Sequence, residues 1–251
     1  MKSIFTSLLL IAFISTAQAQ INVRDSIVSS WMFSFKLGLN IPSGDLDERF
    51  GNALGIGLDF DKKTRKNWLF GVDGTFYFGN DVKDLYPIFE DIITDQGLFI
   101  GLNGELAGVE FLQRGFYGGA HVGKIFPFFG PNPNSGLMVK LGVGYTMSKI
   151  FVRAPNAQVP QIEGEYLKGY DRLHTGFALR QQINYMNSGS KRTINFILGF
   201  EFIEGFTTNK RQYNYDTRMA DISQKIDVYM GMHLTWFLPI YDKNQQKFFY
   251  Y

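Results

Sequence analysis

Large apolar residues and polar or small residues alternate with a period of two along most of the chain. A period of two places successive side chains on opposite faces of a β-strand. Each segment with this pattern has about the length that a tilted membrane strand requires. The pattern therefore predicts eight strands, in segments 33–40, 54–61, 70–78, 116–123, 139–146, 172–185, 194–202 and 228–236.

The two faces of these strands differ in kind. One face holds almost only large apolar side chains such as Phe33 and Phe35, and the other mixes glycines with charged residues such as Lys36. A soluble β-sandwich also alternates, but an apolar outer face with a polar inner face is typical of a membrane barrel. We expect an all-β fold in which residues 31–241 form an eight-stranded antiparallel transmembrane β-barrel.

The connections between the predicted strands alternate strictly between short and long. Short connections fall at 62–67, 128–135 and 187–192, and long ones at 41–52, 80–108, 151–170 and 205–224. Barrels of the outer membrane have short periplasmic turns and long extracellular loops. Both termini then lie in the periplasm. A ninth strand at Leu98–Leu106 would break this arrangement, so we assign that stretch to a β-rich excursion of the second extracellular loop.

The N-terminus has the pattern of a cleavable signal peptide. Lys2 precedes the apolar stretch Leu8–Ile14, and Ala17-Gln18-Ala19 matches the small-x-small cleavage pattern. We expect a signal peptide at 1–19, export to the outer membrane, a periplasmic segment at 20–30 and a periplasmic tail at 242–251. The absence of Cys excludes a disulfide scaffold, and the net charge of +2 is too small to indicate a nucleic-acid partner.

The tryptophans provide an independent check on this topology. Trp31 and Trp68 begin upward strands, Trp236 ends a downward strand, and all three have the parity of the lipid-facing set. Indole rings favour the headgroup layer of a membrane. We expect them to form an aromatic girdle on the periplasmic side.

The polar face predicts what fills the barrel. Eight strands enclose a space just wide enough for side chains. A packed, hydrogen-bonded plug is favoured over a proton or ion path, because unpaired buried charges are costly. The three histidines lie at different heights, which argues against a metal site, and no cofactor is expected. The predicted interior set is Lys36, Asp59, Asp73, His121, Lys140, Arg172, His174, Arg180, Glu201 and His233.

Two loops carry candidate interaction surfaces. In the second loop, Leu85, Ile88, Phe89 and Ile92 recur at helical spacing. They form either a short helix packed on the barrel rim or a docking surface for another envelope protein. The last loop holds a basic-aromatic cluster, which is either a solvated loop or a contact for lipopolysaccharide phosphates. That cluster comprises Lys210, Arg211, Tyr213, Tyr215 and Arg218.

Several sequence blocks resemble the PorT-like small outer-membrane barrels of Bacteroidota. The resemblance covers essentially the whole mature chain, and its motifs are structural. It implies an outer-membrane location and this fold, and it raises the expectation of a role in type IX secretion or outer-membrane assembly. The blocks are Gly123–Phe126, Asn132–Gly136, Lys168–Leu173, Ile194–Phe196, Gly199–Glu201 and Leu238–Tyr241.

These observations favour a non-catalytic scaffold or accessory subunit for envelope or secretion proteins, embedded in outer-membrane lipid and lipopolysaccharide. The alternative is a stand-alone barrel for membrane integrity or small-ligand binding. A narrow channel and a lipid-modifying enzyme rank behind both. An enzyme of that kind needs a general base beside a nucleophile near the extracellular rim, and the long loops contain no His.

Overall fold

The computed structural model describes residues 26–83, 85–189, 195–211 and 213–241. Within them, eight long antiparallel strands form a closed barrel, which confirms the predicted all-β fold. A separate two-stranded sheet consists of β4 (Phe99–Ile100) and β5 (Leu106–Ala107). The barrel strands are β1 (Ser30–Gly44), β2 (Ala53–Lys63), β3 (Trp68–Gly79), β6 (Glu110–Phe126), β7 (Gly136–Arg153), β8 (His174–Ser188), β9 (Asn195–Asn209) and β10 (Gln224–Tyr241).

The barrel closes because the first strand pairs with the last. β1 pairs with β10 over its whole length, from Ser30 opposite Tyr241 to Gly44 opposite Asp227. Around the ring the order is β1, β2, β3, β6, β7, β8, β9 and β10. The small β4–β5 sheet lies outside this ring, as expected for the excursion of the second loop. We call the end of the barrel where β1 begins the lower end, and the opposite end the upper end.

The outer wall of the barrel is apolar and the inner wall is polar. Leu39, Leu141 and Ile183 point outward with exposed fractions of 66%, 55% and 60%, whereas Lys36 points inward and is 1% exposed. Exposed apolar surface that surrounds a molecule on all sides is foreign to soluble monomers and suits contact with lipid. No helix of the described ranges is long and apolar enough to cross a membrane.

The three tryptophans lie toward the lower end and point outward. Trp31 is the second residue of β1, Trp68 is the first of β3, and Trp236 lies five residues before the end of β10. The ammonium groups of Lys62 and Lys124 lie over the Trp31 and Trp68 rings, 4.7 and 4.9 Å from the ring centroids. The position of the three tryptophans along the barrel and their outward orientation are those expected of the aromatic girdle. The role of this girdle in the membrane stays a prediction.

The lower end is closed by the segment that precedes β1. The Lys63 ammonium donates to the Val28 carbonyl at 2.9 Å and to Asn134 Oδ1 at 2.7 Å, and the Val28 amide donates to the same Asn134 oxygen at 2.9 Å. An apolar layer that includes Met32, Leu69 and Phe237 lies in the same part of the barrel. The predicted signal peptide, most of segment 20–30 and the tail 242–251 lie outside the described residues.

Candidate functional site: the barrel interior and the loop cap

Lys140 on β7 lies in the interior among carboxylates of β2. Its ammonium is 2.8 Å from Asp61 Oδ2 and 3.5 Å from Asp59 Oδ2, and all three side chains are almost completely buried. An ammonium group in so dry a place is tolerated only when carboxylates compensate it. These ion pairs thus join β7 to β2 across the lumen, although β6 and β3 separate the two strands in the ring.

His121 on β6 bridges two carboxylates beside this pair. Its Nε2 is 2.6 Å from Asp61 Oδ1 and its Nδ1 is 2.9 Å from Asp73 Oδ1. A carboxylate only accepts hydrogen bonds, so both ring nitrogens donate only when the ring carries two N–H protons. Arg180 on β8 donates to the other oxygen of Asp73, and its guanidinium lies 5.1 Å from the centroid of the Tyr117 ring.

Lys36 and Glu201 complete the charged cluster on the other side of the lumen. The Lys36 ammonium donates to Glu201 Oε2 at 2.9 Å, and Gln182 Nε2 donates to the same oxygen at 3.1 Å. Among the described residues at this level, three permanent cations face four carboxylates. His121 lies between two of these carboxylates, Asp61 and Asp73.

Most of the predicted interior set meets in this central cluster. Asp61 belongs to it as well, although the sequence analysis left it out of the set; its shared parity with Asp59 would have found it. The predicted members that the structure brings into this part of the interior are Lys36, Asp59, Asp73, His121, Lys140, Arg180, Glu201 and His233.

Arg172 is a correction to the predicted interior set. It precedes β8, has a left-handed backbone with φ of 47°, and pairs with Asp216 of the last loop. The alternation of β8 begins only at His174, two residues after Arg172. The parity of the strand therefore does not place the Arg172 side chain in the lumen. His174, the first residue of β8, is buried as expected but lies at the upper end, away from the central cluster.

A second polar cluster surrounds His174. Arg49, from the loop after β1, lies with Nη1 2.8 Å from His174 Nδ1, and its other terminal nitrogen pairs with Asp227 of β10. Thr207 donates to Asp227 at 2.9 Å. Asp227 continues the inward parity of β10 and was therefore detectable in the sequence. Arg49 was not, because a loop residue enters a lumen only through the tertiary fold.

Aromatic side chains occupy a further part of the interior. The rings of Tyr77 and Tyr229 stack with centroids 4.4 Å apart, and Gln113 donates to the Tyr229 hydroxyl at 3.3 Å. Tyr117, whose ring faces Arg180, is also completely buried. The lumen is thus filled with side chains from the lower apolar layer to the loops.

An apolar cap made by the long loops covers the upper end of the barrel. The predicted helix forms at Leu85–Phe89 and continues as a 3-10 turn at Glu90–Ile92. Phe89 is 1% exposed, and its ring centroid lies 4.7 Å from that of Phe111 and 5.4 Å from that of Tyr170.

The structure corrects the docking interpretation of this stripe. Leu85, Ile88 and Ile92 are partly buried against the same apolar cluster as Phe89. The stripe therefore faces the molecule's own cap, which leaves it closed to a partner. Its four residues match the other alternative, a short helix packed on the barrel.

The basic-aromatic cluster of the last loop is largely paired within the chain. Arg211 Nε donates to Asp171 Oδ1 at 2.8 Å, and this hydrogen bonding raises the pKa of the Arg211 guanidinium against the opposing effect of burial. Arg218 is 3.6 Å from Asp91 of the second loop. Lys210 is exposed, and so are Tyr213 and Tyr215, at 44% and 40%.

Asp221 anchors the end of the same loop. Burial alone would raise the pKa of its carboxyl, but hydrogen bonds from the Ser223 hydroxyl and amide and from Asn209 lower the pKa below its ordinary value. The carboxylate therefore stays charged and holds this part of the loop to Asn209 at the end of β9. Among the described residues, no group of three or more His, Cys, Asp or Glu side chains is placed to hold a metal ion.

No protein-family model and no curated protein matches the chain. Several solved barrels are similar in shape. Ail of Yersinia pestis, in complex with the heparin analogue sucrose octasulfate, is 12% identical with a TM-score of 0.43, over 83% of this chain and 99% of that one. Neisserial surface protein A is 10% identical with a TM-score of 0.43, over 82% of this chain and 95% of that one.

The outer membrane protein OprG of Pseudomonas aeruginosa is a further similar structure. It is 10% identical with a TM-score of 0.42, and the match covers 87% of this chain and 100% of that one. Identities and TM-scores this low support no inference about activity or ligand. The resemblance to PorT-like barrels stays an expectation.

Proposed function

We propose that this protein spans the outer membrane and acts there as a non-catalytic scaffold or accessory subunit that docks another envelope protein. One observation carries the proposal: the lumen is filled by paired charges and stacked rings, and loops cover its upper end. A barrel filled in this way has its outer wall and its loops left as working surfaces. Type IX secretion and outer-membrane assembly are the finer settings that the PorT-like resemblance suggests.

The apolar outer wall supports the membrane placement. Outward residues such as Phe200, Leu234 and Val143 are more than half exposed. Burying such a wall in hydrocarbon is favourable, at about 25 cal/mol per Å² of apolar surface. Water would be a poor solvent for it.

The docking surface that we propose is the outside of the loop cap. Loops from different hairpins are tied together there: the Leu102 amide donates to the Gln158 carbonyl at 2.8 Å, and Arg218 pairs with Asp91. Exposed apolar side chains on tied loops cost little entropy when a partner buries them. Those exposed on this cap include Tyr86, Leu102, Tyr166, Met219 and Ile222.

The test is cross-linking in intact outer membranes followed by purification in gentle detergent. Leu102 and Met219 are 63% and 64% exposed. Leu102→Asp with Met219→Asp is expected to abolish recovery of one specific envelope protein. The variant should keep the heat-modifiable gel mobility of a folded barrel. Lys66→Asp, on an exposed turn at the lower end, is the matched control and should retain the partner.

Two outcomes would contradict the docking role. If the double variant folds and keeps every partner, the cap is not the docking surface. If the wild-type protein cross-links to no defined protein, the stand-alone barrel for membrane integrity or small-ligand binding becomes the better description.

A further inference from the structure

The barrel wall is uneven in height, and this creates a notch near its upper end. Pairing of β1 with β2 stops at Asn40 opposite Ala53, although β1 continues to Gly44 along β10. Pairing of β3 with β6 stops at Gly79 opposite Gln113, although β6 begins at Glu110 along β7. The long strands β1 and β6 therefore flank the shorter pair β2–β3, whose pairing continues above only through the isolated Phe50–Val82 bridge.

A groove of about 560 Å³ lies in this notch. Leu39, Leu54 and Phe78 contribute apolar side chains from three different strands, and Leu39 and Leu54 are 66% and 48% exposed. The exposed apolar lining continues the lipid-facing wall. A groove of this volume and character fits part of an acyl chain.

A pair of cations stands beside the groove on the outer face. Arg114 lines the groove, and its register partner across β6 and β7 is Lys149. Residues directly opposite in an antiparallel pair have Cβ atoms about 4.5–5.5 Å apart, and like charges at that spacing repel.

Nothing within the described part of the chain neutralises these cations. The Arg114 guanidinium donates to the Gln113 carbonyl and lies over the Phe151 ring at 5.3 Å, and no carboxylate pairs with it or with Lys149 there. The next outward pair below, Phe116 with Met147, is apolar. The next outward pair above, Leu112 with Phe151, is apolar as well, and the exposed Glu110–Arg153 ion pair follows it. The two cations thus stand in the upper part of the apolar wall, one outward pair below its polar rim.

We propose that the groove and the Arg114–Lys149 pair form one binding site for a phosphorylated lipid of the outer leaflet. One acyl chain lies in the groove against Leu39 and Leu54, and a headgroup phosphate bridges the two cations. The Arg114 guanidinium supplies paired hydrogen-bond donors and the Lys149 ammonium supplies a compact positive charge. This combination suits a headgroup phosphate with a net negative charge better than a zwitterionic headgroup, whose own cation would oppose it. This inference rests on the proposed membrane placement, but not on the docking of a protein.

The test is native mass spectrometry of the full purified chain in detergent, titrated with diphosphoryl lipid A, monophosphoryl lipid A or phosphatidylcholine. We expect one tightly bound diphosphoryl lipid A and progressively weaker binding of the other two. Arg114→Gln with Lys149→Gln should weaken the binding of diphosphoryl lipid A roughly 25-fold, at about fivefold for each charge.

Two further variants separate the groove from general charge. Lys62→Gln with Lys124→Gln removes two outer-wall cations at the lower end and should leave the binding within about twofold of wild type. Leu39→Ser with Leu54→Ser keeps both cations and should weaken the binding roughly tenfold, because the acyl chain loses apolar contact. Gel mobility before and after heating checks that each variant is folded.

The proposal is overturned if the Arg114–Lys149 variant binds diphosphoryl lipid A as wild type does, or if the lower-end control loses as much. It is equally overturned if the Leu39–Leu54 variant binds normally, since headgroup and chain then do not share one site. Because the assay uses purified protein and lipid alone, its result is independent of whether a protein partner docks on the cap.

Discussion

Removal of the Lys140 ammonium is the sharpest test of the charged interior. Its side chain is 2% exposed, 2.8 Å from Asp61 and 3.5 Å from Asp59. Lys140→Met keeps an unbranched chain of similar size but leaves four buried carboxylates to two permanent cations, Lys36 and Arg180. Breaking a buried ion pair from one side costs about 3–5 kcal/mol, and we expect a loss of this size in the free energy of unfolding.

A compensating substitution distinguishes charge imbalance from lost packing. Lys140 is the ion-pair partner that the structure shows for Asp59. Lys140→Met with Asp59→Asn removes one cation and one carboxylate together, which restores the charge balance of the wild-type cluster. The double variant should therefore regain about 1–3 kcal/mol, the usual coupling within one network. Lys83→Met, at an exposed pair with Asp47, is the control and should cost less than about 1 kcal/mol.

Urea titration of the protein in lipid vesicles measures these free energies, with tryptophan fluorescence and heat-modifiable gel mobility as independent signals. A Lys140→Met variant within about 1 kcal/mol of wild type would refute the idea that paired charge holds the interior together. So would a double variant no more stable than the single one, since the loss would then come from packing.

Two other predictions concern the wall and the lumen. Leu141→Arg on the lipid-facing wall should cost roughly 2–4 kcal/mol in the same titration, whereas Leu102→Arg on the cap should cost less than about 0.5 kcal/mol; equal effects would contradict the membrane placement. The purified barrel in planar bilayers should show no steady conductance, because side chains fill the lumen; a reproducible open channel would show that the interior opens.

Strand number and facing were predictable because they depend on the period of the pattern alone. Strand ends were not. β6 begins at Glu110 and β7 ends at Arg153, several residues beyond the predicted segments 116–123 and 139–146. Lipid enforces strict alternation only where the strand crosses it, while backbone pairing can continue above. The upper ends of the long strands therefore carried a weaker signal.

The residues that fill the interior were predictable where they lie on strands, because the alternation there shows which side chains point inward. Those that enter the lumen from loops were not predictable. Asp61 and Asp227 have the inward parity of their strands, whereas Arg49 reaches His174 from a loop. The helical stripe ending at Ile92 shows the same limit on the cap. An amphipathic pattern indicates that one face is buried, but the surface that buries it is decided by loops distant in sequence.

The glycines of the inner face and its charges are two parts of one solution. A Cβ at Gly71 would stand 2.6 Å from Asp61 Oδ1 and 2.9 Å from His121 Nε2, and one at Gly123 would stand 2.9 Å from Lys140 Cγ. An eight-stranded lumen is too narrow for a large side chain at every inward position. Long charged side chains can therefore pair across the lumen only where the neighbouring inward positions are glycines. This is why glycines and charged residues occupy positions of the same parity in the sequence.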